Sequence, residues 1–112
     1  MVEDEPFLRM MAVNLVEAAG FEAIEAANAD LAVLILESRA DIRIVFTDIN
    51  MPGSMDGMKL AAAIRGRWPP IKLIVTSGQY EIGNDELPAG GVFFRKPYND
   101  NEVIVMLQRM AA

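Results

Sequence analysis

Five residues of this 112-residue sequence have side chains suited to handling a phosphoryl group: Glu3, Asp4, Asp48, Thr76 and Lys96. Each stands at or just past the end of a short apolar run. Val2 precedes Glu3, Ile44-Val45-Phe46-Thr47 leads to Asp48, Leu73-Ile74-Val75 leads to Thr76, and Val92-Phe93-Phe94 comes before Lys96. If these runs are parallel strands, their C-terminal ends share one edge of a sheet and the five side chains converge there. Three carboxylates placed so close repel one another, and a hard divalent cation among them relieves the cost. An open site of few carboxylates and water suits Mg²⁺ better than a Ca²⁺ cage, and a phosphate would complete the coordination. Thr76 brings a hydroxyl donor and Lys96 an ammonium from the other side. A carboxylate can attack phosphorus and form an acyl phosphate once the charge on the phosphoryl oxygens is neutralised, and Asp48 is the central candidate for that nucleophile.

Composition narrows the alternatives. The chain has no cysteine and no histidine, which removes disulfides, thiolate metal sites and the commonest general base. Sixteen acidic residues against ten basic ones give a net charge of −6, which argues against nucleic acid or an anionic membrane as direct partner and favours a protein. No apolar run approaches the roughly 18 residues of a membrane span, so a soluble, cytoplasmic protein is expected. The length suits one domain over residues 1–112.

The elements that would position these residues alternate between strand and helix periodicity, the pattern of a parallel sheet with helices on both faces. Pro6 opens a first helix with Leu8, Met11, Ala12, Leu15 and Val16 at helical spacing, and Gly20 stops it. Phe21 to Ala26 reads as a strand. Asn28 is a plausible N-cap for a second helix with Leu31, Leu34 and Ile35 inward. Ile44 to Asp48 is an apolar run ending in a carboxylate, as expected of a central strand buried on both faces. A third helix runs from about Met58 to Trp68, where Pro69-Pro70 ends it. Lys72 to Thr76 and Val92 to Phe94 are further strands, and Asn99 or Asp100 caps a last helix with Val103, Ile104, Met106 and Leu107 inward. Between Gly78 and Gly91, glycine and proline leave room for at most a short helix around Glu81 to Leu87. Met10, Met11, Met58 and Met106 read as core filling, and Trp68 as a residue packing at a helix end. Only Met1 and Val2 precede the first acidic pair, so the first strand is expected to be truncated, and Met1 is not taken as a biological start.

Five segments resemble the receiver domain of two-component response regulators, of the kind found in chemotaxis regulators. They are Val2-Glu3-Asp4-Glu5-Pro6, Phe46-Thr47-Asp48-Ile49-Asn50-Met51-Pro52, Met55-Asp56-Gly57, Ile74-Val75-Thr76-Ser77-Gly78 and Phe94-Arg95-Lys96-Pro97-Tyr98. The resemblance covers essentially the whole chain. It implies a flavodoxin-like α/β three-layer sandwich, with a five-stranded parallel sheet of order 2-1-3-4-5 and five helices, the fourth short or irregular here. Glu3 and Asp4 match the acidic pair that holds Mg²⁺, Asp48 the phosphoacceptor, and Asn50 the residue whose backbone carbonyl adds a metal ligand. Thr76 matches the switch hydroxyl, Lys96 the lysine that pairs with the phosphoryl group, and Pro97 the family's cis proline. Phe93 falls where the family keeps an aromatic that turns inward as Thr76 moves, although a plain core or edge aromatic would look the same. The implied partners are a sensor histidine kinase or phosphotransfer protein and a downstream protein target. Receivers also dimerise, so a homodimer stays open. Such a domain is a switch that assists its own phosphorylation and dephosphorylation, not an enzyme with a separate substrate.

The sequence departs from the family pattern at three places. Glu3 stands where many receivers have Asp, and its longer side chain is expected to reach the metal through water. Residues 51 to 57 form a loop one residue longer than the commonest one. Gly83 to Gly91 replaces a regular fourth helix, which changes the usual output surface. An aspartate-nucleophile hydrolase would share the acyl-phosphate chemistry, but it usually needs a second acid/base carboxylate beside the nucleophile and a substrate cap. Ile49-Asn50 follows Asp48, and no insertion is long enough for a cap. A degenerate receiver acting only as an interaction module is the other alternative, and retention of all five chemical positions argues against it.

Overall fold

The computed structural model describes residues 1–51, 55–78, 83, 86–88 and 90–112. Three parallel strands, β1 (Ile44–Asp48), β2 (Lys72–Ser77) and β3 (Gly91–Arg95), form a sheet in that order. Two further segments extend it beyond β1 by single parallel bridges, Val2 to Thr47 and Val2 to Ala26. The spatial order is therefore Ala26, Val2, β1, β2, β3, which is the anticipated 2-1-3-4-5. Register places Asp48 opposite Thr76, Val75 opposite Phe93 and Ser77 opposite Arg95.

Four helices are present among the described residues: α1 (Pro6–Ala18), α2 (Ala29–Ser38), α3 (Gly57–Arg67) and α4 (Asp100–Ala111). None is long and apolar enough to cross a membrane. Strand alternation sends side chains to two cores. Val45, Leu73 and Val75 pack with Ala32 and Leu36 of α2, with Leu60 and Ile64 of α3, and with the half-buried Phe93. Phe46 and Ile74 point the other way, onto Leu15 and Val16 of α1 and Val103 and Leu107 of α4. The period of two along each strand is what separates these layers.

Caps account for where the helices begin. The side-chain oxygens of Asn28, Asp56 and Asn99 accept from the backbone N–H groups of Leu31, Lys59 and Glu102. Glu5 caps α1 by accepting from Phe7 and Leu8 N–H, with Pro6 at the first helical position. Glutamate is not a favoured N-cap, so this one carries no signal in the sequence.

Several expectations need correction. The strand anticipated over Phe21 to Ala26 reduces to one bridge at Ala26, and the first strand to Val2, which bridges Ala26 on one side and Thr47 on the other. Backbone bonds still join Ala26 N–H to Met1 O at 3.0 Å and Glu3 N–H to Ala26 O at 3.1 Å. A cavity of about 220 Å³ opens there, lined by Phe21, Ile24, Ile42 and Ile44 at the N-terminal end of the sheet, away from Glu3, Asp4 and Asp48. The inward faces of two helices are also shifted. Leu8 and Met11 are exposed while Ala12, Leu15 and Val16 are buried, and Leu31 and Leu34 are exposed while Ala29, Ala32 and Leu36 are buried. The small alanines of these helices take the buried positions and the larger residues turn outward. Met10 is exposed too, so neither Met10 nor Met11 fills the core, whereas Met58 and Met106 pack against it. The short helix anticipated around Glu81 to Leu87 falls largely outside the described residues, as does part of the loop at 51 to 57.

Candidate functional site

Asp48 ends β1 with its main chain held on both sides. Its N–H donates to Val2 O at 3.0 Å, and the next N–H, of Ile49, donates to Thr76 O at 2.9 Å. Both bonds continue the sheet ladder past the last strand residue, so Asp48 has little freedom. Thr47 Oγ1 donates to Asp48 O at 2.9 Å. On the other side, Gly57 N–H donates to Ile49 O at 2.9 Å, which brings the first residue of α3 onto the same turn.

Glu3 follows Val2 and is buried, and its polar atoms all have partners. Its N–H donates to Ala26 O at 3.1 Å and its carbonyl accepts from Arg9 Nη1 at 3.1 Å. One carboxylate oxygen accepts from Lys96 Nζ at 2.9 Å, and the other from Glu5 N–H at 3.3 Å. Asp4, by contrast, is exposed. Carboxylate oxygens of Glu3, Asp4 and Asp48 lie within 4.8 Å of one another, a hard-oxygen cluster of the size one small cation spans.

Lys96 follows β3, where its N–H donates to Ser77 O at 2.9 Å, and the Lys96–Pro97 peptide bond is cis. Its ammonium lies 2.9 Å from Glu3 Oε1 and 3.2 Å from Asp48 Oδ2. Burial alone would lower the lysine pKa, but the hydrogen bond to Glu3 and the charge of Asp48 outweigh it and raise it above its ordinary value. Burial raises the Glu3 carboxyl above its ordinary value, against the opposing pull of Lys96. The two directions pull on the pair differently, since a neutral Glu3 would weaken the bridge that raises Lys96. The lysine shift follows from two carboxylates within 3.2 Å, whereas a cation beside Glu3 would reverse its shift.

The remaining candidates flank this centre. Thr76 is buried, opposite Asp48 in the ladder, with its hydroxyl 3.5 Å from Thr47 O, too long for more than a weak bond. Asn50 lies half-buried two residues past Asp48. Phe93 is half-buried on the α2–α3 side of the sheet. Tyr98 packs on the opposite side, its ring 5.9 Å from that of Phe46. The structure thus sets the Lys96 ammonium against Glu3 and Asp48, gathers the Glu3, Asp4 and Asp48 carboxylates within 4.8 Å of one another, and places Thr76 opposite Asp48. Arg9 and Glu5 support the same turn and escaped sequence reading. Arg9 lies six residues from the carbonyl it holds, with no local pattern to mark it.

Known proteins carry the same organisation. A family model for the response regulator receiver domain matches residues 1–108. Chemotaxis protein CheY of Listeria monocytogenes is 32% identical over 114 residues, covering 99% of this chain and 95% of that protein. Nitrogen assimilation regulatory protein NtrX of Azorhizobium caulinodans is 28% identical over 116 residues, but the match covers 97% of this chain and only 25% of that protein. The crystal structure of the receiver domain from the hybrid histidine kinase CckA superposes with a TM-score of 0.82 at 28% identity, covering 99% of this chain and 95% of that one. Fold and sequence agree, and the chain belongs to the response regulator receiver family, the flavodoxin-like signalling switches of two-component systems.

Proposed function

We propose that Asp48 is the phosphoacceptor of this receiver and that phosphoryl transfer to it requires Mg²⁺ held by Glu3, Asp4, Asp48 and the backbone carbonyl of Asn50. The observation that carries this reading is the ammonium of Lys96 set between Glu3 and Asp48, at 2.9 and 3.2 Å. Such a charge array has no use in a purely structural strand end, where a buried acid would be replaced at less cost by an apolar residue. The donor is a phosphohistidine on a sensor kinase or phosphotransfer protein. Bound Mg²⁺ would neutralise charge on the phosphoryl oxygens.

In the transfer, a carboxylate oxygen of Asp48 forms a bond to phosphorus while the bond from phosphorus to the donor's imidazole nitrogen breaks, and the imidazole takes up a proton. Lys96 moves its ammonium from the carboxylates to a phosphoryl oxygen, and Thr76 donates its hydroxyl to another. Loss of the phosphate reverses the charge change, as water attacks phosphorus and restores the carboxylate. The domain assists both steps and so acts as a switch in the cytoplasm.

The movement of Thr76 biases Phe93, which lies opposite Val75, the residue before Thr76 in β2, between two packings. The signal then leaves by the segment before β3, by β3 and by α4 to a downstream protein. Fluoroberyllate, a tetrahedral stand-in for the phosphoryl group, tests this reading. Added with Mg²⁺, it should shift the backbone amide resonances of Asp48, Thr76, Phe93 and Lys96 in the native chain and not in Asp48→Asn. Unshifted resonances in a folded native chain would overturn the reading.

A further inference from the structure

Among the described residues, Arg9 joins three parts of the molecule behind the acidic cluster. It belongs to the first turn of α1, its Nη1 donates to Glu3 O at 3.1 Å, and its Nε donates to Glu25 Oε1 at 3.2 Å. Glu25 adjoins Ala26, whose carbonyl accepts from Glu3 N–H. The guanidinium therefore closes a ring running from Glu3 through Ala26 and Glu25 to Arg9 and back to Glu3. Three successive acids, Glu3, Asp4 and Glu5, occupy the turn enclosed by this ring and α1. Their mutual repulsion would open the turn, and Glu3 O has no ladder partner on β1 or the 21–26 segment. Arg9 supplies that partner. The side chain is only 23% exposed, and a fork of donors fixed at both ends has less freedom than a lysine would have.

We propose that Arg9 is a positioning residue for the cation site: with Glu25 as its anchor, it fixes the Glu3–Asp4 turn so that both carboxylates face Asp48 before a cation arrives. The proposal rests on the Mg²⁺ reading of the cluster given above. Its physical content is preorganisation, in which an acid pair already turned toward Asp48 loses little freedom when the ion binds. A contrary effect of Arg9 is plain Coulomb repulsion of an incoming cation. The two roles predict different outcomes. Arg9→Gln removes a positive charge and Glu25→Gln removes a negative one, so a purely electrostatic role makes the first bind Mg²⁺ more tightly and the second more weakly. Positioning makes both bind more weakly.

The test is calorimetric titration of Mg²⁺ into the native chain, Arg9→Gln, Glu25→Gln and Arg9→Lys, without phosphodonor, well below each variant's melting temperature. Arg9→Gln should raise the Mg²⁺ Kd about fivefold, the scale of one lost hydrogen bond. Glu25→Gln should raise it less, and Arg9→Lys should recover part of the loss through a single donor. Under a phosphodonor, the half-saturating Mg²⁺ concentration should rise more than the maximal rate falls, a split that a general loss of stability would not produce. Unchanged or tighter Mg²⁺ binding by Arg9→Gln overturns the proposal. Should that variant not fold, unchanged binding by Glu25→Gln does so. Absence of Mg²⁺ binding by the native chain would overturn the Mg²⁺ reading itself, a separate result.

Discussion

Gly57 leaves no room for a side chain against Asp48: a Cβ there would stand 2.0 Å from the Asp48 carbonyl oxygen and 2.8 Å from its carbonyl carbon. The first residue of α3 thus rests directly on the main chain of the acceptor position, held by the bond from its N–H to Ile49 O. Both obstacles are backbone atoms of a strand end gripped by the ladder, so they cannot yield cheaply. Gly57→Ala should destabilise the fold by about 1–3 kcal/mol, the usual cost of overpacking. Urea denaturation checks this, and a neutral result would mean that α3 can shift away from β1.

Lys96 is the only basic partner found for the carboxylates of Glu3 and Asp48 among the described residues. Lys96→Ala leaves two buried carboxylates without their shared cation and should cost about 2 kcal/mol in Mg²⁺-free buffer, less than for a fully buried pair because the lysine is partly exposed. Millimolar Mg²⁺ should return part of that stability by taking the vacated charge position. Denaturation in chelator and in Mg²⁺ measures both effects, and a loss that Mg²⁺ does not reduce would speak against a shared site.

The raised pKa of Glu3 gives a pH dependence of defined sign. A carboxyl held above its ordinary 4.5 by burial binds its proton more tightly folded than unfolded. Its contribution to stability is present below that ordinary value and is lost as pH rises through the folded value. In Mg²⁺-free buffer, stability should therefore decline with rising pH over the window that starts near 4.5, and Glu3→Gln should remove that slope. Mg²⁺ competes with the same proton, so Mg²⁺ affinity should rise with pH across this window. Titrations at several pH values check the trend, and affinity independent of pH would contradict it.

Residues beside the acceptor should set how long the phosphoryl group persists. Asn50 lies two residues past Asp48, and Gly78 two past Thr76. Among the described residues, a Cβ at Gly78 would meet only Lys96 Cβ, at 3.7 Å, an ordinary van der Waals contact. Asn50→Arg and Gly78→Leu should lengthen the phosphoryl lifetime severalfold by obstructing water. Decay of the phosphorylated mass over time measures this, and lifetimes unchanged in both variants would contradict it.

The chemistry of this site is legible in the sequence because parallel strands deliver their C-terminal residues to one edge. Asp48, Thr76 and Lys96 each end an apolar run, and the runs alone bring them together. The helix faces were less legible. Leu8, Met11, Leu31 and Leu34 have helical spacing, yet the structure buries the alanines beside them, since an apolar stripe wider than the contact does not say which part of it meets the sheet. Strand character at Phe21 to Ala26 depended on a partner strand, and among the described residues only the short stretch of Met1 to Glu3 bonds to it as one. Glu5 as a cap and Arg9 as a brace depend on contacts that have no periodicity, and they became visible only in three dimensions.

Intact mass after incubation with acetyl phosphate, compared between the native chain and Asp48→Asn with and without Mg²⁺, tests the central claim most directly. The account predicts one added phosphate in the native chain, dependent on Mg²⁺, labile to hydroxylamine and absent from Asp48→Asn. A folded native chain that gains no phosphate, or a variant that gains it equally well, would contradict Asp48 as the acceptor.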